Sequence, residues 1–415
     1  LEEKEGELQE KGRVLERLGD IKSLVGEWDV CMKYWNEALL LWNQLYEKEK
    51  AARLYRKMAN VLWVAMGKTE EAKGHQERAL KILETEPESV ELASLYADMA
   101  RLLWHTGDMD KALSRAETAL ELAKKLNAFE VIAEAYTNLA LVFGVTGERK
   151  KAIECLERAL KIALDNGYME TALRIYNNLA STLTAEENEK ILEYLEKGFE
   201  LAKKVGYIGW ISWIGSGLAG MYIGMGNMNK ALLLVEGSVA LDRKSGTPST
   251  LCASTATLGF AYQVLGEWDK SEQYYKEALS ISQKRSLFQQ VANSYGSLGW
   301  FYLNKGEYVK AREFCENAIE VCEKAGAKYH KMQWSQWVIW TYIELGEIEK
   351  AKNLIDSLHK FALEVQDKGL IAGADALRAM LFRAQKKWKQ SIEHFEKSLQ
   401  EFEALNARRW NVYWF

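Results

Sequence analysis

Residues 299–318 read GWFYLNKGEYVKAREFCENA, and residues 259–278, one frame earlier, read GFAYQVLGEWDKSEQYYKEA. Both frames carry a small residue (Gly259, Gly299), a tyrosine three places on (Tyr262, Tyr302) and a glycine four further (Gly266, Gly306). Five places later comes a small residue (Ser271, Ala311), and seven after that another (Ala278, Ala318). Spacings of three, four and seven put these positions on one face of a helix. The central glycine supplies the left-handed conformation that ends a helix. Each frame therefore reads as two antiparallel helices joined at the glycine, with small side chains letting helices approach and bulky ones filling the space beside them.

The same phrase runs along the chain at Gly67–Ala72, Gly107–Ala112, Gly147–Ala152, Gly226–Ala231 and Gly346–Ala351, and at Gly26–Cys31 with Cys in the small slot. Successive glycines lie 41, 40, 40, 79, 40, 40 and 40 residues apart. The 79-residue interval holds a degenerate copy near Ala185–Lys190, and a tenth lies near Gln385–Gln390. Small residues recur before the glycine (Gly19, Ala100, Ala140, Ala219), bulky ones three places on (Trp63, Leu103, Phe143, Tyr222, Tyr342), and small ones on the second helix (Ala38, Ala79, Ala119, Ala159, Ser238). The expected architecture is all-α, a solenoid of about ten tandem helix-turn-helix repeats forming one unit over residues 1–415. The fifth copy lacks the glycine, which predicts an irregularity or kink at 181–226. Residues 408–415 read as the start of an eleventh first helix, and with Leu1 in place of Met this predicts a fragment of a longer array, with Trp410, Tyr413, Trp414 and Phe415 short of their neighbour.

Composition agrees. Only Pro87 and Pro248 interrupt a chain that is 48% apolar and 27% charged, which suits amphipathic helices. Lys plus Arg (55) nearly balance Asp plus Glu (59), interspersed throughout, so neither nucleic acid nor an anionic membrane surface is an expected partner. No apolar run reaches a membrane span. Five cysteines without C-x-x-C spacing indicate a reducing, cytoplasmic setting.

The pattern resembles the tetratricopeptide repeat in a longer form of about 40 residues, along essentially the whole chain. The aromatic two places after the turn glycine, as in Trp28, Trp268 and Tyr308, with Trp388 in the tenth copy, fits that family too. The resemblance implies a right-handed superhelix whose first helices line the concave side, and a non-catalytic binding scaffold. Long-form repeats of this kind look like the sensor arrays of bacterial and archaeal STAND-type signalling ATPases and cyclase-like regulators, which implies a sensor arm joined to an effector.

Candidate chemistry is sparse. Gly215, Gly217 and Gly220 have the G-x-G-x-x-G spacing of a dinucleotide site but fall inside a first helix with Ala219 in its small slot, so close helix packing is the reading. Gly67-Lys68-Thr69 ends like a phosphate loop, yet Leu62 stands where its first glycine belongs, so it is a turn. The five histidines (His75, His105, His330, His359, His394) lie far apart in sequence and read as surface or structural. Cys315 and Cys322, seven apart, read as buried small hydrophobes. No nucleophile, acid and base converge, so neither an enzyme, a metal nor a cofactor is expected.

The expected site is the concave face. Phe260, Trp300 and Trp340 recur 40 residues apart in one register, flanked by Ala253, Ala256, Gln263, Asn293, Gly296, Leu303, Gln333, Gln336 and Ile343. The N-terminal half offers Lys57, Arg101, Trp104, Glu134, Thr137, Arg174 and Asn177 instead. Aromatic rings beside amides are the composition of a hot spot for a protein or peptide partner. An alternative reading makes the glycine-rich sixth copy, with Trp210 and Trp213, a pocket for a small effector. A third makes the array a self-assembly module. The oligomeric state is not assigned.

Overall fold

The computed structural model describes residues 2–183, 187–245, 248–284 and 287–405. Among them stand twenty helices and no strand: α1 (Glu2–Leu24), α2 (Trp28–Gln44), α3 (Lys48–Val64), α4 (Thr69–Leu83), α5 (Val90–Thr106), α6 (Met109–Lys125), α7 (Phe129–Val145), α8 (Arg149–Asp165), α9 (Met169–Thr182) and α10 (Asn188–Val205). There follow α11 (Ile208–Gly224), α12 (Met228–Ser245), α13 (Pro248–Val264), α14 (Trp268–Lys284), α15 (Phe288–Asn304), α16 (Tyr308–Lys324), α17 (Lys328–Glu344), α18 (Ile348–Glu364), α19 (Lys368–Ala384) and α20 (Trp388–Ala404). Each odd helix packs against the even helix after it, making ten hairpins. Successive odd helices also pack on one another, α3 on α5 on α7 on α9 and α11 on α13 on α15 on α17 on α19, which places them on the inner, concave side. No helix among the described residues is long and apolar enough to cross a membrane.

The repeat grammar builds these hairpins as read. Gly26, Gly67, Gly107, Gly147, Gly226, Gly266, Gly306 and Gly346 all take a left-handed φ, and Lys386 (φ 60°) does so in the tenth copy. At a typical turn the Glu307 N–H donates to the Tyr302 carbonyl at 2.9 Å, a Schellman closure. The small residues are needed: a Cβ on Gly299 would overlap Cys315 Sγ, and one on Gly19 would overlap the Trp35 ring. A lysine four places after the turn glycine lies over the bulky ring, as in Lys230 on Tyr222, Lys270 on Tyr262, Lys310 on Tyr302 and Lys350 on Tyr342, at 5.1–5.4 Å from the centroid. The hydroxyls of Tyr222, Tyr302 and Tyr342 donate to Glu196, Glu272 and Glu316 of the preceding repeat, tying neighbours together.

The degenerate fifth turn and the aromatic residues Trp410, Tyr413, Trp414 and Phe415 lie outside the described residues, wholly for the latter and for residues 184–186 of the former. The apolar core passes through the fifth repeat all the same, from Leu173 and Ile191 to Ile214 and Leu218. G-x-G-x-x-G lies inside α11, where Gly215 packs against Phe199 and Ser238.

One feature is not implied by tandem stacking: the superhelix closes on itself. Repeats two to four meet repeats eight to ten, with α5 packed on α17. The Phe288 N–H donates to the Ala65 carbonyl at 3.3 Å, and the Thr69 hydroxyl donates to the Ala325 carbonyl. Phe361 abuts Gly107, the Lys368 stem abuts Gly147, and Met109 and Val145 join Tyr329, Val365 and Leu370 in one apolar cluster.

Candidate functional site

The inner face has two walls of different chemistry. Along the first five repeats it is ion-paired. Glu16 on α1 accepts from Arg53 and Lys57, both at 2.9 Å, and Lys57 also donates to Asp20 at 2.8 Å. Asp98 on α5 accepts from Arg56 (3.0 Å), Asn60 (2.7 Å) and Arg101 (3.4 Å). Burial works to raise the Asp98 carboxyl, but Arg56 and Arg101 beside it outweigh that and hold it below the usual range. Arg174 on α9 donates to Glu134 on α7 at 3.1 Å. Glu130, one turn before Glu134, is pushed up by burial and by the neighbouring carboxylate. Partly buried pairs of this kind add little net stability, because the cost of removing both charges from water offsets their attraction.

Arg101 and Arg174, expected at the site, thus belong to this paired wall; Arg101 also lies over the Trp63 ring at 5.4 Å. Trp104 is a correction. Its ring packs on Tyr329 (5.3 Å) and against His330 (6.2 Å) within the contact that closes the superhelix, so it is part of the closure and not of an open face. Thr137 is buried, its hydroxyl donating to the Ala133 carbonyl of its own helix.

In the middle, Asn177 and Trp213, expected for different reasons, come together: the indole N–H of Trp213 donates to Asn177 Oδ1 at 3.2 Å. Trp213 is 39% exposed and stands on the side of α11 that carries Gly209, Gly217, Gly220 and Gly224. Trp210 packs instead against the apolar cluster that holds Leu173, Ile214 and Leu218.

The second wall is aromatic. Trp300 on α15 sits 4.6 Å from Trp337 and 6.5 Å from Trp340 on α17, and Phe260 on α13 packs in the same cluster. Trp337 and Trp340 stack at 6.3 Å, and the Trp340 N–H donates to Glu344 at 3.2 Å. Aromatic contacts of this kind contribute about 0.5–1.5 kcal/mol beyond burial, so the wall is preorganised. Asn293 and Gln333 are exposed beside it, while Gln336 is half-buried and reaches to Gly373 on α19. Four neighbours expected on this face are buried: Gly296 is filled by the Trp334 ring, Gln263 accepts from the Tyr275 hydroxyl at 3.1 Å, and Leu303 and Ile343 are only 6% and 5% exposed. Trp337 was missed in sequence; it lies four places after Gln333 and three before Trp340, so the same face contained it. Between the two arms, beside the closure, runs an open cleft of about 650 Å³ lined by Asp108, Asp110, Glu148, Lys328, Lys360 and Glu364 among others.

Two family models, both described as tetratricopeptide repeat, match the sequence, one at residues 10–85, 64–125, 91–165 and 131–204 and the other at 251–285 and 291–325. No curated protein matches it. Among solved structures, a Rap protein complexed with Competence and Sporulation Factor is similar at TM-score 0.57 and 15% identity, covering 97% of this chain and 99% of its own. The Rap conjugation gene regulator of plasmid pLS20, in complex with the Phr* peptide, is similar at TM-score 0.50 and 15% identity, covering 74% and 96%. A STAND protein with a tetratricopeptide repeat sensor from Pyrococcus horikoshii aligns at TM-score 0.44 and 20% identity, over 86% of this chain and 53% of that one.

Proposed function

Since the chain belongs to the tetratricopeptide repeat family, we propose that it is a non-catalytic binding module whose concave face takes a peptide or an extended segment of a partner protein. The observation that carries this reading is the preorganised aromatic wall of the inner helices (Phe260, Trp300, Trp337, Trp340), edged by the exposed amides of Asn293 and Gln333, on a superhelix whose first repeats carry an ion-paired wall. Rings give contact area at low entropic cost, and amides at their margin can pair with the donors and acceptors of a peptide backbone. The peptide in the pLS20 regulator complex, on a fold of the same kind, supports the same occupant. The finer role, the sensor arm of a larger cytoplasmic signalling protein, rests on the resemblance of its long-form repeats alone.

The test is selection of short peptides on the immobilised chain, followed by titration of the enriched sequences against an Asn293→Ala/Gln333→Ala variant. Both side chains are exposed, so the variant keeps its fold. A loss of about tenfold or more, 1.4 kcal/mol, is the expected result. Equal affinity for both proteins, or no enrichment at all, would remove the concave face as the peptide site.

A further inference from the structure

We propose that the contact closing the superhelix between α5 and α17 is a releasable clasp, opened by protonation of the facing imidazoles of His105 and His330 while the repeats on either side stay folded. This goes beyond the binding reading above and does not depend on it.

The two rings belong to repeats three and nine and lie 4.8 Å apart across the closure, tilted by 48°. Around them stand the rings of Trp63 (5.0 Å from His105), Phe288 (6.1 Å from His105) and Trp104 (6.2 Å from His330). His105 has no exposed surface. Among the described residues nothing hydrogen-bonds either nitrogen of His105 or Nδ1 of His330. A buried polar nitrogen without a partner is destabilising where it stands, and a phenylalanine would fill the same space without that penalty. Besides these rings, the described residues hold the arms together by one apolar cluster, by two hydrogen bonds from the Phe288 N–H and the Thr69 hydroxyl to opposing carbonyls, and by Lys368, which lies against Gly147 and attracts Glu148. Within each arm, by contrast, every second helix packs on the first helix of the next repeat, from α2 on α3 to α18 on α19. A weak contact between two well-packed bodies is the kind of element that switches between discrete states.

The charged and titratable groups near the pair are engaged elsewhere. On α5, Arg101 is paired with Asp98 and lies over Trp63. On α17, Tyr329 donates its hydroxyl to Asp367 at 2.6 Å, and Lys331 is paired with Glu323 of α16. On α19, Asp367 also caps the helix by accepting the Leu370 N–H at 2.9 Å. Trp63, Thr69, Phe288 and Phe361, which reach the closure from α3, α4, α15 and α18, do not titrate. The charged groups at its margin are Asp108, Asp110, Glu148, Lys328, Lys360 and Glu364, which line the neighbouring cleft, and Lys368 of α19, which lies against Gly147.

Burial, reinforced at His105 by the neighbouring His330, lowers His105 to about 3, and burial lowers His330 to about 4. Once the arms part, both imidazoles regain the ordinary value of about 6.5. The open form then binds protons that the closed form cannot. Closure is therefore fully present above about pH 6.5 and is lost as pH falls, the open-to-closed ratio rising about 100-fold per pH unit with two sites until the closed-state values are reached. Asp367 acts the other way: burial raises it, so its own protonation steadies the α17 to α19 side as pH falls.

The experiment is small-angle scattering of the full chain from pH 8 to 4.5, with helicity followed by circular dichroism in the same buffers. The expected result is a rise in radius of gyration between about pH 6 and 4.5 at constant helicity, absent from a His105→Phe/His330→Phe variant and retained in Asp367→Asn. A compact wild type throughout, an expansion shared by the double phenylalanine variant, or expansion only together with loss of helicity would each overturn the clasp. Should the double variant fail to fold, histidine side-chain NMR of the wild type decides. Imidazoles that stay neutral until the scattering transition and titrate with it support the clasp, and imidazoles that titrate independently of it refute it.

Discussion

Glycine at two positions of the same chain shows what a single residue is asked to do. Gly299 on α15 stands where a Cβ would overlap Cys315 Sγ, so Gly299→Ala must push α16 away; the expected cost is about 1–3 kcal/mol. Gly220 on α11 faces open space, and a Cβ there meets nothing within 4 Å. Gly220→Ala is therefore expected to stabilise by about 0.5–1 kcal/mol through helix propensity alone. Thermal melts followed by circular dichroism should move in opposite directions for the two variants. A loss at both positions would mean that the inner side of α11 is not open as described. The first position was legible in the sequence because it falls in the recurring small slot. The second broke no repeat rule, and only its surroundings distinguish it.

At the scale of the helix and its turn, sequence spacing found the first turn of every hairpin that carries glycine, because a left-handed φ is scarcely open to other residues. It did not find the turns between repeats, where Tyr46, Asn127 and Gln366 take φ of 54–56° in positions that Gly167, Gly206 and Gly326 fill elsewhere. A helix packed on both sides can hold an ordinary residue in that conformation at a cost of about 1–2 kcal/mol. The tenth copy shows the same device in the first turn with Lys386 at φ 60°. Lys386→Gly is expected to raise the melting temperature by relieving that strain, up to about 1 kcal/mol, and Gly346→Ala, at φ 74° in the ninth copy, to lower it. The opposite order would show that the turns are held by side-chain contacts instead of backbone conformation. The aromatic wall was legible for the same reason as the hairpins, a fixed 40-residue register carrying Phe260, Trp300 and Trp340. The neighbouring positions Gln263, Gly296, Leu303 and Ile343 were assigned to it and are buried, because a helix inside a solenoid is covered on more than half its circumference and spacing alone does not mark the edge of the covered arc.

The whole molecule holds what the sequence could not announce. Closure joins residues more than two hundred positions apart, such as Trp104 with Tyr329 and Thr69 with Ala325, and no periodicity relates them. His105 and His330 read as isolated histidines until the superhelix brings their rings within 4.8 Å. The measurement that bears most directly on the concave face as the binding surface is hydrogen–deuterium exchange of the chain with and without a saturating selected peptide, read helix by helix. Slower exchange in the inner helices α9, α11, α15 and α17, with the outer helices α10, α12 and α16 unchanged, is the expected outcome. Protection confined to the outer helices, or spread evenly over all twenty, would contradict it.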